Sequence, residues 1–378
     1  AYELRDGNNS LYRGLSVLDA VSNVNIDISN TFSGRNPFEQ NKIDQDLIDL
    51  DGTNNKNKLG ANAMLGFSMA VARSASLSLK IPLYQYLGGI RSNILPVPMM
   101  NIINGGAHAN NGLDFQECMI MPIGFSNFSD ALRAGTEVFH NLKQILSDKG
   151  YSVAVGDEGG FAPDVNNLDD ALANISDAIE KSGYKLGEQI YIAIDAAASE
   201  LFDGQNYFLK GENKKLNTDQ LVKYWEDLCK KFPVISIEDP FDENDWNGFK
   251  ELTKKIGKNV QIVGDDLFVT NKNRLLTGIK NNSANSILIK LNQIGTLSET
   301  IETIELAKNS QFGVIVSHRS GETEDVFISD LSVGLNTGQI KTGSVSRTDR
   351  TAKYNQLIRI EEMLGSDAKY FGKGFFDV

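Results

Sequence analysis

The 378-residue chain is 41% hydrophobic and 23% charged, the composition of an ordinary globular protein long enough for one large barrel and one smaller unit. A formal net charge of -12, from 49 acidic against 37 basic residues, speaks against a general nucleic-acid binder, because phosphate backbones recruit basic surfaces. No apolar run reaches membrane-spanning length, and the N-terminus lacks the basic start and apolar stretch of a secretion signal, so a cytoplasmic protein without membrane insertion is expected. The two cysteines, Cys118 and Cys229, are too far apart for a paired metal motif and too few for a disulfide framework. Both read as inert core thiols in a reducing compartment.

From residue 15 to about 87 the pattern is helical, with Leu15, Leu18, Val21 and Val24 on one face of a first helix and a second helix over 59–79. The second helix is rich in small residues, Gly60, Ala61, Ala63, Gly66, Ala70 and Ala72, which permit close backbone approach to the barrel it is expected to pack on. Beyond Pro82 and the Gly88-Gly89 break, short apolar runs alternate with amphipathic stretches such as 130–146, where Leu132, Val138, Phe139, Leu142 and Ile145 recur at helical spacing. That alternation predicts parallel strands joined by crossover helices, with strands over 95–101, 115–121, 191–195, 234–238, 261–265, 286–290, 313–318 and 339–341. Eight runs fit a closed barrel, and the short loop between the first two predicts an irregular opening. The expected fold class is α/β: a (β/α)8-type barrel over 93–378, and before it a smaller, mostly helical unit over 1–92.

Polar residues fall where these runs end. Asp195 follows Tyr-Ile-Ala-Ile, Glu238 follows Val-Ile-Ser-Ile and Asp265 follows Gln-Ile-Val-Gly, while Lys290, His318-Arg319-Ser320 and Lys341 close the last three runs. In parallel barrels the C-terminal strand ends converge on one face, and active sites are built there. A single strand-end acid can simply cap the next helix. Three in register on successive strands suit magnesium, which takes oxygen ligands, keeps several waters and completes its octahedron with substrate oxygens. Asp195, Glu238 and Asp265 are therefore the candidate metal ligands.

Lys290 closes a strongly apolar run beside those acids, where desolvation and a neighbouring cation are expected to lower its pKa into the range of a general base. Lys341 reads as an anion contact or a solvated charge. Within Asp157-Glu158-Gly159-Gly160, Glu158 is a candidate proton donor, the plainer reading being a turn acid ahead of two glycines. His108 lies in the glycine-rich stretch Asn104-Gly105-Gly106-Ala107-His108, flexible enough to close over a ligand, and Gln116 and Glu117 follow at the second strand. His140, beside Phe139 on an amphipathic helix, reads as a packing or surface residue.

Five ordered motifs then stand out: Gly-Asp-Glu-Gly-Gly-Phe-Ala-Pro (156–163), Ser-Ile-Glu-Asp-Pro (236–240), Gly-Asp-Asp-Leu (264–267), Ile-Lys-Leu-Asn-Gln-Ile-Gly-Thr (289–296) and Ser-His-Arg-Ser-Gly-Glu-Thr-Glu-Asp (317–325). Along the whole chain they resemble the enolase family, in its bacterial form. The resemblance implies a hydro-lyase that interconverts 2-phospho-D-glycerate and phosphoenolpyruvate in glycolysis and gluconeogenesis. By matching motif, Asp195, Glu238 and Asp265 would hold magnesium and Lys290 would take the C2 proton. Glu158, supported by Glu117, would help the 3-hydroxyl leave, and His318 would be a further catalytic residue. His108, Gln116, Lys290, Arg319, Ser320 and Lys341 would bind or enclose the substrate. A lysine base with magnesium stabilising the enolate is the known pattern of this superfamily and does not come from the spacing here.

The resemblance further implies two magnesium ions per site, a homodimer or homo-octamer, and a cytoplasmic location with a surface or secreted form and RNA-degradation partners in some members. It also implies a segment ahead of Ala1, with strands of the smaller domain and a Ser-Gly-Ala-Ser-Thr-like loop that helps bind the second magnesium. A chain without that segment is expected to be weakly active or inactive. A related barrel such as a muconate-lactonising enzyme or racemase would share the acids but carry Lys-x-Lys at the second strand, where this chain reads Phe-Gln-Glu-Cys-Met-Ile. Of a different class is a non-catalytic binding protein; Lys290 and Glu158 favour catalysis over it.

Overall fold

The computed structural model describes residues 1–106, 109 and 111–377. The first unit is helical: α1 (Leu18–Asn23), α2 (Ser29–Phe32), α3 (Gln40–Asp51), α4 (Ala61–Leu79) and α5 (Leu83–Gly88). A π-turn over Val24–Ile28 carries α1 directly into α2. Its wider turn selects an i+4 stripe, so Ala20, Val24, Ile28 and Phe32 face inward against Ile43, Leu47, Leu59 and Met64. The expected i+3 face is overturned: Leu15 and Leu18 are each 60% exposed and Val21 is 47% exposed. Of the small residues on the second helix, Ala61, Ala63 and Ala72 are buried, whereas Gly66 and Ala70 lie exposed.

Twelve strands follow among the described residues: β1 (Ile94–Leu95), β2 (Val97–Asn104), β3 (Glu117–Met121), β4 (Tyr191–Asp195), β5 (Tyr207–Leu209), β6 (Lys214–Leu216), β7 (Val234–Glu238), β8 (Gln261–Gly264), β9 (Ser286–Ile289), β10 (Gly313–Ser317), β11 (Gly338–Lys341) and β12 (Lys369–Tyr370). Eight of them close a barrel in the order β10-β11-β2-β3-β4-β7-β8-β9. Between and outside the strands run α6 (Phe128–Asp148), α7 (Leu168–Lys181), α8 (Thr218–Lys231), α9 (Trp246–Ile256), α10 (Lys272–Asn281), α11 (Leu291–Ile294), α12 (Leu297–Asn309), α13 (Phe327–Gly334) and α14 (Thr348–Leu364). Side chains such as Val97, Met99, Met119, Ala193, Val263, Leu288 and Ile315 form one buried cluster of strand residues, while a second, larger cluster joins strands to helices. The strands are therefore buried on both faces, which is why they read as continuous apolar runs.

One expectation about the barrel is corrected. Not every strand is parallel, because β3 runs antiparallel to both β2 and β4. A parallel return usually carries a helix in its crossover, and the link over 105–116 from β2 to β3 has no α-helix among its described residues. Glu117 thus begins its strand at the barrel mouth, paired in register with Asp195.

The helical unit docks at the same end. Buried Asp44 accepts hydrogen bonds from Ser68 Oγ at 2.7 Å and from the Ser298 amide at 2.9 Å, and Lys56 pairs with Glu299 at 3.0 Å. Helix α4 packs on α11, the turn that directly follows Lys290. No helix of the described residues is long and apolar enough to cross a membrane.

Candidate active site

Where the barrel strands end, Asp195 and Glu238 are the last residues of β4 and β7, and Lys341 is the last of β11. Asp265, Lys290 and His318 each sit one position beyond β8, β9 and β10. One cavity is lined by Gln116, Glu117, Glu158, Asp195, Asp265, Lys290, His318, Arg319, Ser320 and Lys341. Glu238 lies beneath it, reaching the cavity through Lys341. His108 falls outside the described residues. His140 is exposed on α6 with its ring edge-on to Phe139, away from these groups. Both cysteine thiols are pushed up to about 12 by burial and are free of disulfides.

Charge in the cavity is arranged in two ion clusters. Lys341 Nζ lies 2.8 Å from Asp195 Oδ2, 2.9 Å from Glu238 Oε2 and 3.1 Å from Glu117 Oε1. Burial alone would lower the Lys341 pKa, but these carboxylates hold it well above the ordinary lysine value. Burial, then Asp195, pushes the Glu238 carboxyl well up, and burial with Glu158 does the same to Glu117. In the second cluster, Lys290 Nζ pairs with Asp265 Oδ2, and Gln293 Nε2 donates to Asp265 Oδ1 at 3.2 Å.

The Lys290 expectation is corrected by that pair. Burial does act to lower its pKa, but the charges of Asp265 and Glu238 outweigh it and hold Lys290 above the ordinary lysine value. For Asp265 burial acts upward, yet the Lys290 ammonium keeps the carboxyl below its usual range. Lys290 therefore stands as an ammonium until something else neutralises those acids.

Glu158 is brought into the cavity by a turn that requires its two glycines. Gly159 has φ +86, and a Cβ there would meet Ser346 Oγ at 2.6 Å; one on Gly160 would lie 2.4 Å from Asn104 Oδ1. The Glu158 carboxylate accepts from Asn101 Nδ2 at 3.0 Å and from Ser320 Oγ at 3.4 Å, and its backbone oxygen accepts from the Ser344 amide at 2.9 Å. His318 Nε2 lies 3.5 Å from Glu158 Oε1. Burial keeps the His318 ring well below its ordinary pKa despite that neighbour.

The residues fit a divalent cation. Oxygens of Asp239, Asp265 and Asp266 lie within 4.8 Å of one another, whereas Asp195 and Glu238 of the expected ligand set are held by Lys341 and Asp265 by Lys290. Buried Glu238 Oε1 and Glu117 Oε2 have no hydrogen-bond partner among the described residues. A buried unpaired carboxylate oxygen is costly, and a hard cation satisfies it without a donor.

Three members of this constellation were not singled out from the sequence. Asp239 accepts the amides of Asp265 at 2.9 Å and Asp266 at 2.7 Å, fixing the turn that carries Asp265. Its φ of +41, like +43 at Ala197, places left-handed backbone just after a strand end. Asp266, pushed up to about 6 by burial and by Asp265, lines the cavity beside it. The only available signal was their adjacency to Glu238 and Asp265 in the motifs. Arg350, fully buried behind His318, has no local signal.

Residues 92–378 match the family model described as Enolase, C-terminal TIM barrel domain, and residues 1–87 match Enolase, N-terminal domain. Both matches agree with the closed eight-stranded barrel and the helical unit docked on it. The chain belongs to the enolase family.

Proposed function

We propose that the protein is a magnesium-dependent hydro-lyase, removing water reversibly from 2-phospho-D-glycerate to give phosphoenolpyruvate. The observation that carries this reading is a single cavity holding a partly buried lysine, Lys290, and a buried carboxyl, Glu158, together with carboxylates suited to a divalent cation. A β-elimination needs those parts: a base for the proton beside the carboxylate, an acid for the departing hydroxyl, and positive charge for the carbanion between.

In this mechanism Lys290, in its neutral form, takes the C2 proton. The electron pair forms the C2–C3 double bond, the C3–O bond breaks, and the Glu158 proton leaves with the hydroxyl as water. Glu117 sits against Lys341, and its like charge with Glu158 opposes ionising both carboxyls together. Lys341 and Arg319 place fixed positive charge around the substrate, with Gln116, Ser320 and His108 as further contacts. Magnesium held by Asp195, Glu238 and Asp265 would supply charge at the substrate carboxylate and compete with Lys290 for the acids that keep it protonated. Supporting the reading are the burial of Glu117, Glu158, Asp195, Glu238, Asp265 and Lys341, which strengthens their charge interactions, and the family membership.

The same proposal covers a division into a unit over 1–92 and a catalytic barrel over 93–378, a homodimer or homo-octamer, and work in the cytoplasm. The test is magnesium-dependent formation of phosphoenolpyruvate from 2-phosphoglycerate, abolished by chelation and by Lys290→Ala. No product, either from this chain or from one extended ahead of Ala1, would overturn it.

A further inference from the structure

We propose that Arg350 is a positioning residue for this site, one that fixes the His318 ring with its hydrogen on Nε2, towards Glu158, and locks the Glu158 turn to the His318-Arg319-Ser320 segment. The inference rests on the reaction proposed above only in giving Glu158 and His318 a role.

Arg350 stands in the first turn of α14 and is fully buried. Its Nη1 contacts His318 Nδ1 and donates to the Arg319 carbonyl at 2.7 Å. Its Nη2 donates to the Ser320 carbonyl at 2.8 Å and to the Asp157 carbonyl at 3.2 Å. A guanidinium has donors only and stays charged throughout the range in which proteins fold. The imidazole nitrogen it meets must therefore accept, so Nδ1 carries no hydrogen. A neutral ring then carries its single hydrogen on Nε2, the nitrogen 3.5 Å from Glu158 Oε1. Burial keeps the ring neutral in spite of Glu158, and the Arg350 charge adds to burial. His318 thus keeps its hydrogen on the nitrogen nearest Glu158, 3.5 Å away and without a hydrogen bond in this structure, where it could donate to that carboxyl or to the leaving hydroxyl.

The guanidinium also acts as a clip between segments distant in sequence. It ties Asp157, next to Glu158, to Arg319 and Ser320, and Ser320 Oγ in turn donates to Glu158. One turn further along α14, buried Lys353 does the same for the next stretch, reaching Glu322 Oε2 at 2.7 Å and the Thr323 carbonyl. Two buried cations at i and i+3 on one helix face therefore hold residues 318–323, but only Arg350 touches the histidine. Lysine at 350 could keep the charge and not the fork that reaches three carbonyls and a ring nitrogen at once.

The experiment is nitrogen NMR of the protein labelled at histidine, which has only three such residues. One histidine is expected neutral at pH 7 with Nδ1 unprotonated and the hydrogen on Nε2, assigned to His318 by its loss in His318→Asn. Arg350→Lys and Arg350→Gln are expected to move that ring towards the other tautomer and to lower kcat by about 10- to 100-fold, with a much smaller change in KM. Lys353→Met, which loosens the same segment, should leave the tautomer as it is. Wild-type His318 with its hydrogen on Nδ1 overturns the proposal, as does an unchanged spectrum with full kcat in Arg350→Lys. The spectrum needs no substrate, so a wild type that shows this tautomer but forms no phosphoenolpyruvate counts against the reaction and not against the role of Arg350.

Discussion

Lys341 Nζ lies 2.9 Å from Glu238 Oε2 while also reaching Asp195 and Glu117, so one lysine, 2% exposed, balances buried carboxylates from three strands. Removing one partner of a buried ion cluster leaves uncompensated charge and costs about 3–5 kcal/mol. Lys341→Met is therefore expected to lower Tm by several degrees. On the proposed magnesium site, the Asp195 and Glu238 carboxylates it releases would be free to hold the cation, so added magnesium should raise the variant's Tm more than the wild type's. Calorimetry with and without magnesium decides it, and equal shifts would refute the shared-oxygen account.

Glu158→Gln keeps the size of the side chain and an oxygen to accept from Asn101 or Ser320, but has no proton to give. If the carboxyl acts as a general acid, kcat should fall by about 10²- to 10⁴-fold with Tm nearly unchanged. Steady-state rates paired with a melting curve are the measurement. A variant keeping more than a small fraction of wild-type kcat would remove Glu158 from the mechanism.

Asp239 uses both carboxylate oxygens on the amides of Asp265 and Asp266. Asn at 239 retains one acceptor, leaving an amide beside the metal-competent carboxylates without its bond. We expect Asp239→Asn to weaken magnesium binding by about 10- to 100-fold, the usual cost of losing support behind a ligand. Titration calorimetry measures this directly, and an unchanged Kd would show that the turn holds itself.

Much of this site was legible because strand ends are: Asp195, Glu238 and Lys341 terminate apolar runs that a doubly covered barrel requires. The direction of β3 was not, since a period of two is the same read either way and only the lack of a helix in the link argues against a parallel return. Lys290 lines the cavity at its strand end, but its protonation depends on Asp265, a partner from the preceding strand's turn that desolvation arguments alone leave out. Arg350 and Asp239 were missed for a related reason. They act through backbone groups of other segments, and such contacts leave no pattern at the residues themselves. In α1 the helix was expected but its inward face was not, because the π-turn changes the spacing from i+3 to i+4.

Asp330 offers a test of the junction between the helical unit and the barrel. Buried in α13, it accepts from the Tyr84 amide of α5 at 3.2 Å and from Gln356 Nε2 of α14 at 3.0 Å. Burial nevertheless pushes its carboxyl from 3.8 up to about 6. Because the folded value is the raised one, the sign is fixed: below the unfolded pKa the group is protonated in both states and costs nothing. As pH rises towards 6 the unfolded chain ionises first, and stability falls by up to about 1.4 kcal/mol per unit. Above that point the penalty is constant, with an upper limit of about 3 kcal/mol. Asp330→Asn keeps an oxygen for Tyr84, and Gln356 can turn its amide to meet the new NH2 group. Its Tm should exceed the wild type's at neutral pH, with the advantage shrinking as pH falls through about 6 and vanishing near 4. Melting curves across that range are the measurement, and a difference in Tm that does not change with pH would show that Asp330 is already ionised in the folded protein.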